Sequence, residues 1–195
     1  MEAALQKRLT ASEYLVMERL AETKREFLDG EVFSMAGGTH NHSQVASNCL
    51  GSLWSALRGH PCRPLNSDMR LKIEGTGLYA YPDLQVVCGA AQFEDDRLDT
   101  LLNPTVIMEF LSPSTAGWDR GQKFWHYRHL ESLQQYVLIS AEQSLVEVFT
   151  RQPNSGWLLD TFEDPSGAVE LASVGCKISL ADLYLGVEFP PGRLR

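Results

Sequence analysis

No apolar stretch in this 195-residue chain approaches the roughly 20 residues needed to span a bilayer, so no membrane association is expected. The opening residues, Met1-Glu2-Ala3-Ala4-Leu5-Gln6-Lys7-Arg8, lack the apolar core of a secretory signal, and a cytoplasmic protein is expected. Cysteine is scarce. Cys49, Cys62, Cys88 and Cys176 are widely spread with no C-x-x-C pair, and they read as reduced core thiols. Positive charge is also short, with 17 Lys and Arg against 25 Asp and Glu and a formal net charge of −8. That balance opposes tight metal-free binding to a polyanion. Local positive clusters nevertheless stand at Arg58, Arg63, Arg70 and Lys72, and at Arg120, Lys123 and Arg128. Internal repeats and low-complexity linkers are absent. With 44% hydrophobic residues the chain can bury a substantial core, which predicts one domain over 1–195 with a disordered tail over 188–195.

What is present reads as alternating helical and strand patterns. Thr10 followed by Glu13 has the form of a capping box, and the spacing of Tyr14, Leu15, Met17 and Leu20 predicts a helix over 10–22. Asp29-Gly30 between apolar pairs predicts a tight hairpin from Arg25 to Ala36. A long helix is predicted over 42–59, closed by Gly59, and a half-exposed strand over 69–74. Another helix over 119–130 should turn Lys123, Phe124, Tyr127 and Leu130 inward. The remainder is β-rich, with strands over 135–140, 145–150 and 156–162.

Two acids stand in strand-like apolar runs: Asp83 in Tyr81-Pro82-Asp83-Leu84-Gln85-Val86-Val87 and Glu109 in Val106-Ile107-Met108-Glu109-Phe110-Leu111. A buried, unpaired carboxylate costs several kcal/mol or is protonated, so packing alone does not explain these positions. Magnesium favours one or two carboxylates, a carbonyl and several waters. Asp83, Glu109 and the backbone carbonyl of Phe110 would supply that set. A lysine on the following helix, Lys123, could orient a water and stabilise charge on a scissile phosphate.

Tyr81-Pro82-Asp83, Glu109-Phe110-Leu111-Ser112-Pro113-Ser114-Thr115 and Asp119-Arg120-Gly121-Gln122-Lys123-Phe124 with Tyr127-Arg128 together resemble the Uma-two family. Its members are assigned as endonucleases of the PD-(D/E)XK, restriction endonuclease-like superfamily. The resemblance extends to Arg25–Val32, to His42 with Asn48, and to Ser67–Leu71. It implies an α/β fold, a restriction endonuclease-like mixed sheet flanked by helices, with a β-rich C-terminal part. It implies Mg2+ or Mn2+ at Asp83 and Glu109, Lys123 as catalytic lysine, Glu26 as an additional acid, nucleic acid (DNA foremost) as partner, and a homodimer. The superfamily usually places its lysine two residues after the second acid. That position here is Leu111, so the lysine has moved to the next helix.

Other readings compete. Lys123 could form an ordinary surface pair with Asp119, worth ~0.3–0.5 kcal/mol. Glu26 and Asp68 could be solvated partners of Arg25 and Arg70. His42 could be a neutral general base or a helix-end residue. Asn48 need not share its face. Zinc shared by His40, His42, His60 and Cys62 is excluded by an intervening helix of about 25 Å, against ligand distances of ~2.0–2.3 Å. A serine hydrolase using Ser112 or Ser114 with His126 lacks a nucleophile elbow. Trp118 and Trp125 could stack on bases or fill a helix-to-sheet contact. Glu94–Asp99 reads as a solvated acidic loop. A catalytically silent, homodimeric binding or regulatory protein of the same fold is the alternative to the enzyme.

Overall fold

The computed structural model describes residues 8–35, 37–113 and 115–190. Residues 1–7, Ala36 at the end of the expected hairpin, Ser114 of the hydrolase alternative and 191–195 of the expected tail lie outside the described residues. Glu188 and Phe189, also assigned to that tail, are docked. The Asn41 amide donates to the Glu188 carbonyl at 2.9 Å, and the Phe189 ring lies 5.3 Å from that of Tyr184.

Helix α1 (Ala11–Glu18) opens on the expected capping box, with Thr10 Oγ1 accepting the Glu13 N–H and the Glu13 carboxylate accepting the Thr10 N–H. It ends four residues early. Val16, Met17 and Leu20 are exposed, so there is no buried face to carry the helix further. Strands β1 (Arg25–Leu28) and β2 (Glu31–Ser34) form the hairpin, with both Asp29 and Gly30 at positive φ. Helix α2 (His40–Ala56) is capped by Thr39 and buries Val45, Cys49 and Leu53. After it come β3 (Cys62–Asn66), β4 (Arg70–Ile73), β5 (Leu78–Ala80), β6 (Leu84–Cys88), β7 (Thr100–Leu101) and β8 (Val106–Leu111). Strand β4 is not half-exposed as expected: Arg70, Leu71 and Ile73 are all buried.

The predicted 119–130 helix is divided. A short helix α3 (Ala116–Trp118) runs into a π-helical turn over Asp119–Lys123 and then α4 (Phe124–Tyr127). Strands β9 (Gln135–Ser140), β10 (Val146–Arg151), β11 (Trp157–Phe162), β12 (Ala168–Leu171) and β13 (Cys176–Ser179) follow, closed by α5 (Leu180–Leu183).

Three sheets result: β2-β1-β5-β4-β7, β11-β10-β9-β8-β6-β3, and the β12-β13 hairpin. Within the six-stranded sheet β8 and β9 are parallel, and the α3–α4 segment is their crossover. Side chains alternate across β8. Val106, Met108 and Phe110 join the core under α2, β12, β13 and α5, whereas Ile107 and Leu111 face the five-stranded sheet and the crossover helix. Glu109 shares the second face by parity, which places it beneath the crossover. Cys62 and Cys88, opposite one another in the β3–β6 register, form a disulfide. This corrects the expectation of four free thiols, which holds only for the buried Cys49 and Cys176. Among the described residues no helix is long and apolar enough to cross a membrane.

Candidate active site

The ladder between β6 and β8 stops at Leu84–Met108, one residue short of the Asp83–Glu109 pair. The two acids take over the pairing there. The Asp83 N–H donates to Glu109 Oε2 at 3.3 Å, and the Phe110 N–H donates to Asp83 Oδ2 at 2.8 Å. Because the N–H and C=O of one strand residue point to the same side, the Phe110 carbonyl is directed toward this gap beside Asp83.

Lys123 enters from the crossover. Its side chain is only 8% exposed, and its ammonium lies 3.1 Å from Glu109 Oε1, 3.3 Å from Glu26 Oε1 and 3.7 Å from Asp119 Oδ1. The surface-pair reading fails here: Asp119 is a partner, but both groups are buried and Glu109 and Glu26 are nearer. Glu26, on β1, is buried rather than solvated. Its Oε1 makes no hydrogen bond, although it lies within ion-pair distance of Lys123. Arg25 pairs with Glu18 instead. Asp68 stays outside the site, 2.6 Å from Lys24 and 74% exposed. His42 Nε2 lies 3.4 Å from Asp83 Oδ2, and its ring meets Phe110 edge-on. Asn48 points elsewhere, donating to the carbonyls of Leu183 and Leu185.

Tyr127, read from the sequence as an inward-facing helix residue within the family strings but given no role in the site, donates its hydroxyl to Glu109 Oε1 at 2.8 Å in a fully buried setting. Asp119, Lys123 and Tyr127 recur every four residues. That spacing of polar groups on one helical face was the available signal.

Burial alone would raise the Asp83 carboxyl, but His42, the Phe110 N–H and Lys123 hold it below its ordinary value. Asp83 in turn raises His42 above its ordinary value despite the ring's burial, which works against a neutral base, one of the two readings of this residue. Burial drives Glu109 well above the carboxylate range; Lys123 opposes this, and Asp83, Asp119 and Glu26 reinforce it. Asp119 is raised by burial as well. Burial would lower Lys123, yet Glu109, Glu26 and Asp119 raise it, so the ammonium stays charged. Four carboxyl groups thus share one lysine and one histidine, more acid than those two cations keep ionised, and a divalent cation would offset that crowding. Among the described residues no group of three or more His, Cys, Asp or Glu side chains is arranged so that it could by itself hold a metal ion. A metal here would be held by two carboxylates, a carbonyl and water, an all-oxygen set that fits magnesium or manganese.

The remaining candidates are placed otherwise. Ser112 Oγ lies 3.1 Å from Thr115 Oγ1, and His126 packs edge-on against Trp125. Trp118 and Trp125 are partly exposed, and it is Phe124 that fills the helix-to-sheet contact, against Tyr136, Phe149 and Trp157. The acidic segment is latched rather than merely solvated. Arg19 binds Asp95 and Asp99, and Glu94 accepts from Lys72 and Tyr79. The positive clusters are largely neutralised too, with Arg70 against Asp99, Lys72 against Glu94 and Arg120 against Glu147.

A crystal structure from Anabaena variabilis, described as "a putative nuclease belonging to DUF820", shares this architecture. The TM-score is 0.72 over 90% of this chain and 97% of that one, at 19% identity. The class is therefore an α/β fold with mixed sheets flanked by helices, shared with that protein. Residues 11–181 match the Uma2 family, described as "Putative restriction endonuclease", and the chain belongs to that family, as the resemblance implied. Two uncharacterized proteins of Synechocystis sp. are similar along nearly their whole lengths. One is 32% identical over 93% of this chain and 94% of its own, the other 36% identical over 88% and 97%.

Proposed function

We propose that this protein is a magnesium- or manganese-dependent endonuclease hydrolysing phosphodiester bonds in DNA. Asp83, Glu109 and the Phe110 carbonyl hold the metal, and Lys123 stabilises charge at the scissile phosphate. The observation that carries this reading is the buried Lys123 ammonium within 3.7 Å of three carboxylates, one of them Glu109 of the Asp83–Glu109 pair. A bound divalent cation supplies charge neutralisation and a more acidic water. Lys123, fixed by its three acids, presents a positive charge that needs no reorganisation as the phosphorane forms. Glu26, whose Oε1 makes no hydrogen bond among the described residues, would accept the proton of the attacking water. His42 keeps Asp83 anionic, and Tyr127 fixes the Glu109 rotamer.

The test is cleavage of supercoiled plasmid and single-stranded DNA with magnesium or manganese. Wild type should cut, and Asp83→Ala and Lys123→Ala should each lose about 10²–10³-fold. No cutting by wild type, or equal cutting by all three, would instead favour a catalytically silent binding protein.

A further inference from the structure

Among the described residues the six-stranded sheet has two free edges, β3 and β11. Strand β3 contains Pro64 and is bonded to β6 by the Cys62–Cys88 disulfide, and proline is a common device for closing an edge to further pairing. Strand β11 has no such device. All six of its residues pair with β10 without a bulge, it contains neither proline nor lysine, and its one charge is Asp160. The four residues Leu158–Thr161 are exposed on both faces, with Leu158 at 52% and Leu159 at 46%.

The hydrogen-bonding phase of this edge follows from the turns beside it. The Gln152 N–H donates to the Gly156 carbonyl at 2.9 Å, so the adjacent Arg151–Trp157 pair is non-hydrogen-bonded and the pattern alternates from there. The preceding hairpin agrees. The Ser140 N–H bond to the Leu145 carbonyl makes Leu138–Glu147 a bonded pair, turning Glu147 toward β9 and away from Thr161. The backbone N–H and C=O groups of Trp157, Leu159 and Thr161 therefore point off the edge of the sheet.

We propose that a second copy of this chain pairs antiparallel on β11, about a two-fold axis through Leu159, joining two six-stranded sheets into one. A two-fold axis normal to a sheet preserves its faces, so only residues of like parity can stand opposite one another. Centring on Leu159 matches all three outward residues of each strand: Leu159 faces its own copy, and Trp157 faces the partner's Thr161. Centring on Asp160 would bring two carboxylates into a close, non-hydrogen-bonded pair, ~4.5 Å between Cα atoms, where like charges repel. The pairing is independent of the nuclease reading.

Light scattering and cysteine cross-linking test it together. Wild type should approach twice 21.8 kDa as concentration rises. Leu159→Pro removes only an N–H directed away from β10, so it should remain a monomer with an unchanged circular dichroism spectrum. At a hydrogen-bonded pair the Cα separation is ~5.5 Å, within disulfide reach. Mild oxidation should therefore cross-link Leu159→Cys into a covalent dimer and leave Asp160→Cys monomeric on a denaturing gel. A wild type of 21.8 kDa at every concentration, a Leu159→Pro variant that still dimerises, or cross-linking through Asp160→Cys in preference would overturn the proposal.

Discussion

Glu109 accepts from Lys123 and Tyr127 on one oxygen and from the Asp83 N–H on the other, so its geometry depends on a hydroxyl and a backbone N–H that take no part in the proposed chemistry as well as on Lys123. Tyr127→Phe removes one buried hydrogen bond to this carboxyl group, worth about 0.5–1.5 kcal/mol. The variant should unfold earlier in urea by about that amount. If the site is the proposed one, cleavage should also fall by about tenfold, as when a ligand loses its supporting hydrogen bond. Metal binding has a separate readout. At tenfold excess over Kd a ligand bound only by the folded state adds about 1.4 kcal/mol, or about 3–6 °C in Tm for a chain of this size. Manganese should produce that shift in wild type and not in Asp83→Ala; equal shifts in both would place the metal elsewhere. The residue identities Asp83, Glu109 and Lys123 were legible because acids in apolar strands have few packing explanations. Asp119 was read as a surface partner of Lys123 and Tyr127 as an inward-facing residue of the family strings, but neither as part of the site, because an aspartate one turn from a lysine and a tyrosine in an amphipathic helix both have ordinary explanations.

The elements that carry these residues were legible unevenly, and the errors share a cause. Strand β8 and the hairpin β1–β2 follow local patterns, a short apolar run in one and Asp29-Gly30 in the other, and both appear as expected. Helix α1 and the acidic segment depend on one another across 80 residues, and local patterns are blind to that. Arg19, just past the end of α1, donates to Asp95 at 2.7 Å and to Asp99 at 2.8 Å, while Arg70 reaches Asp99 at 3.0 Å. The Arg19 hydrogen bond is the largest influence on Asp99 and lowers its pKa to about 2. A depressed folded-state pKa gives stability that is present above the unfolded value of about 3.9 and is lost as pH falls through about 2. The pair is partly exposed, which discounts it to about 1 kcal/mol. Asp99→Asn should therefore cost about that much at pH 7, and the two urea midpoints should converge between about pH 4 and pH 2. A constant difference across that range would assign the loss to packing instead. The π turn is a third case: Asp119–Lys123 has the spacing of an α-helix, and only the fold decides that its extra residue is accommodated where the lysine enters the site.

At the scale of the whole molecule, the two-sided burial of the six-stranded sheet explains why β8 reads as an unbroken apolar run, and why its one acid had to be functional or paired. Strand β3 was not legible at all. Cys62-Arg63-Pro64-Leu65-Asn66 neither alternates cleanly nor lacks proline, and it becomes a strand because β6 offers it an edge. Missing β3 meant missing the disulfide, since Cys62 and Cys88 meet only through that pairing. The bond closes a loop with a sequence separation of 26 between the two cysteines, for which the chain-entropy relation gives about 3.5 kcal/mol. It also anchors the strand next to β6, whose first residue follows Asp83. Reduction, or replacement of Cys62 and Cys88 by serine, should lower Tm by about 7–14 °C. Because the Cys62–Cys88 bond sits at the far end of β6 from Asp83, the effect should fall on global stability and leave the site intact. Reduced protein held well below its new Tm should retain the manganese shift seen for wild type. Loss of that shift on reduction, with the fold preserved by circular dichroism, would instead make the Cys62–Cys88 bond part of what positions Asp83.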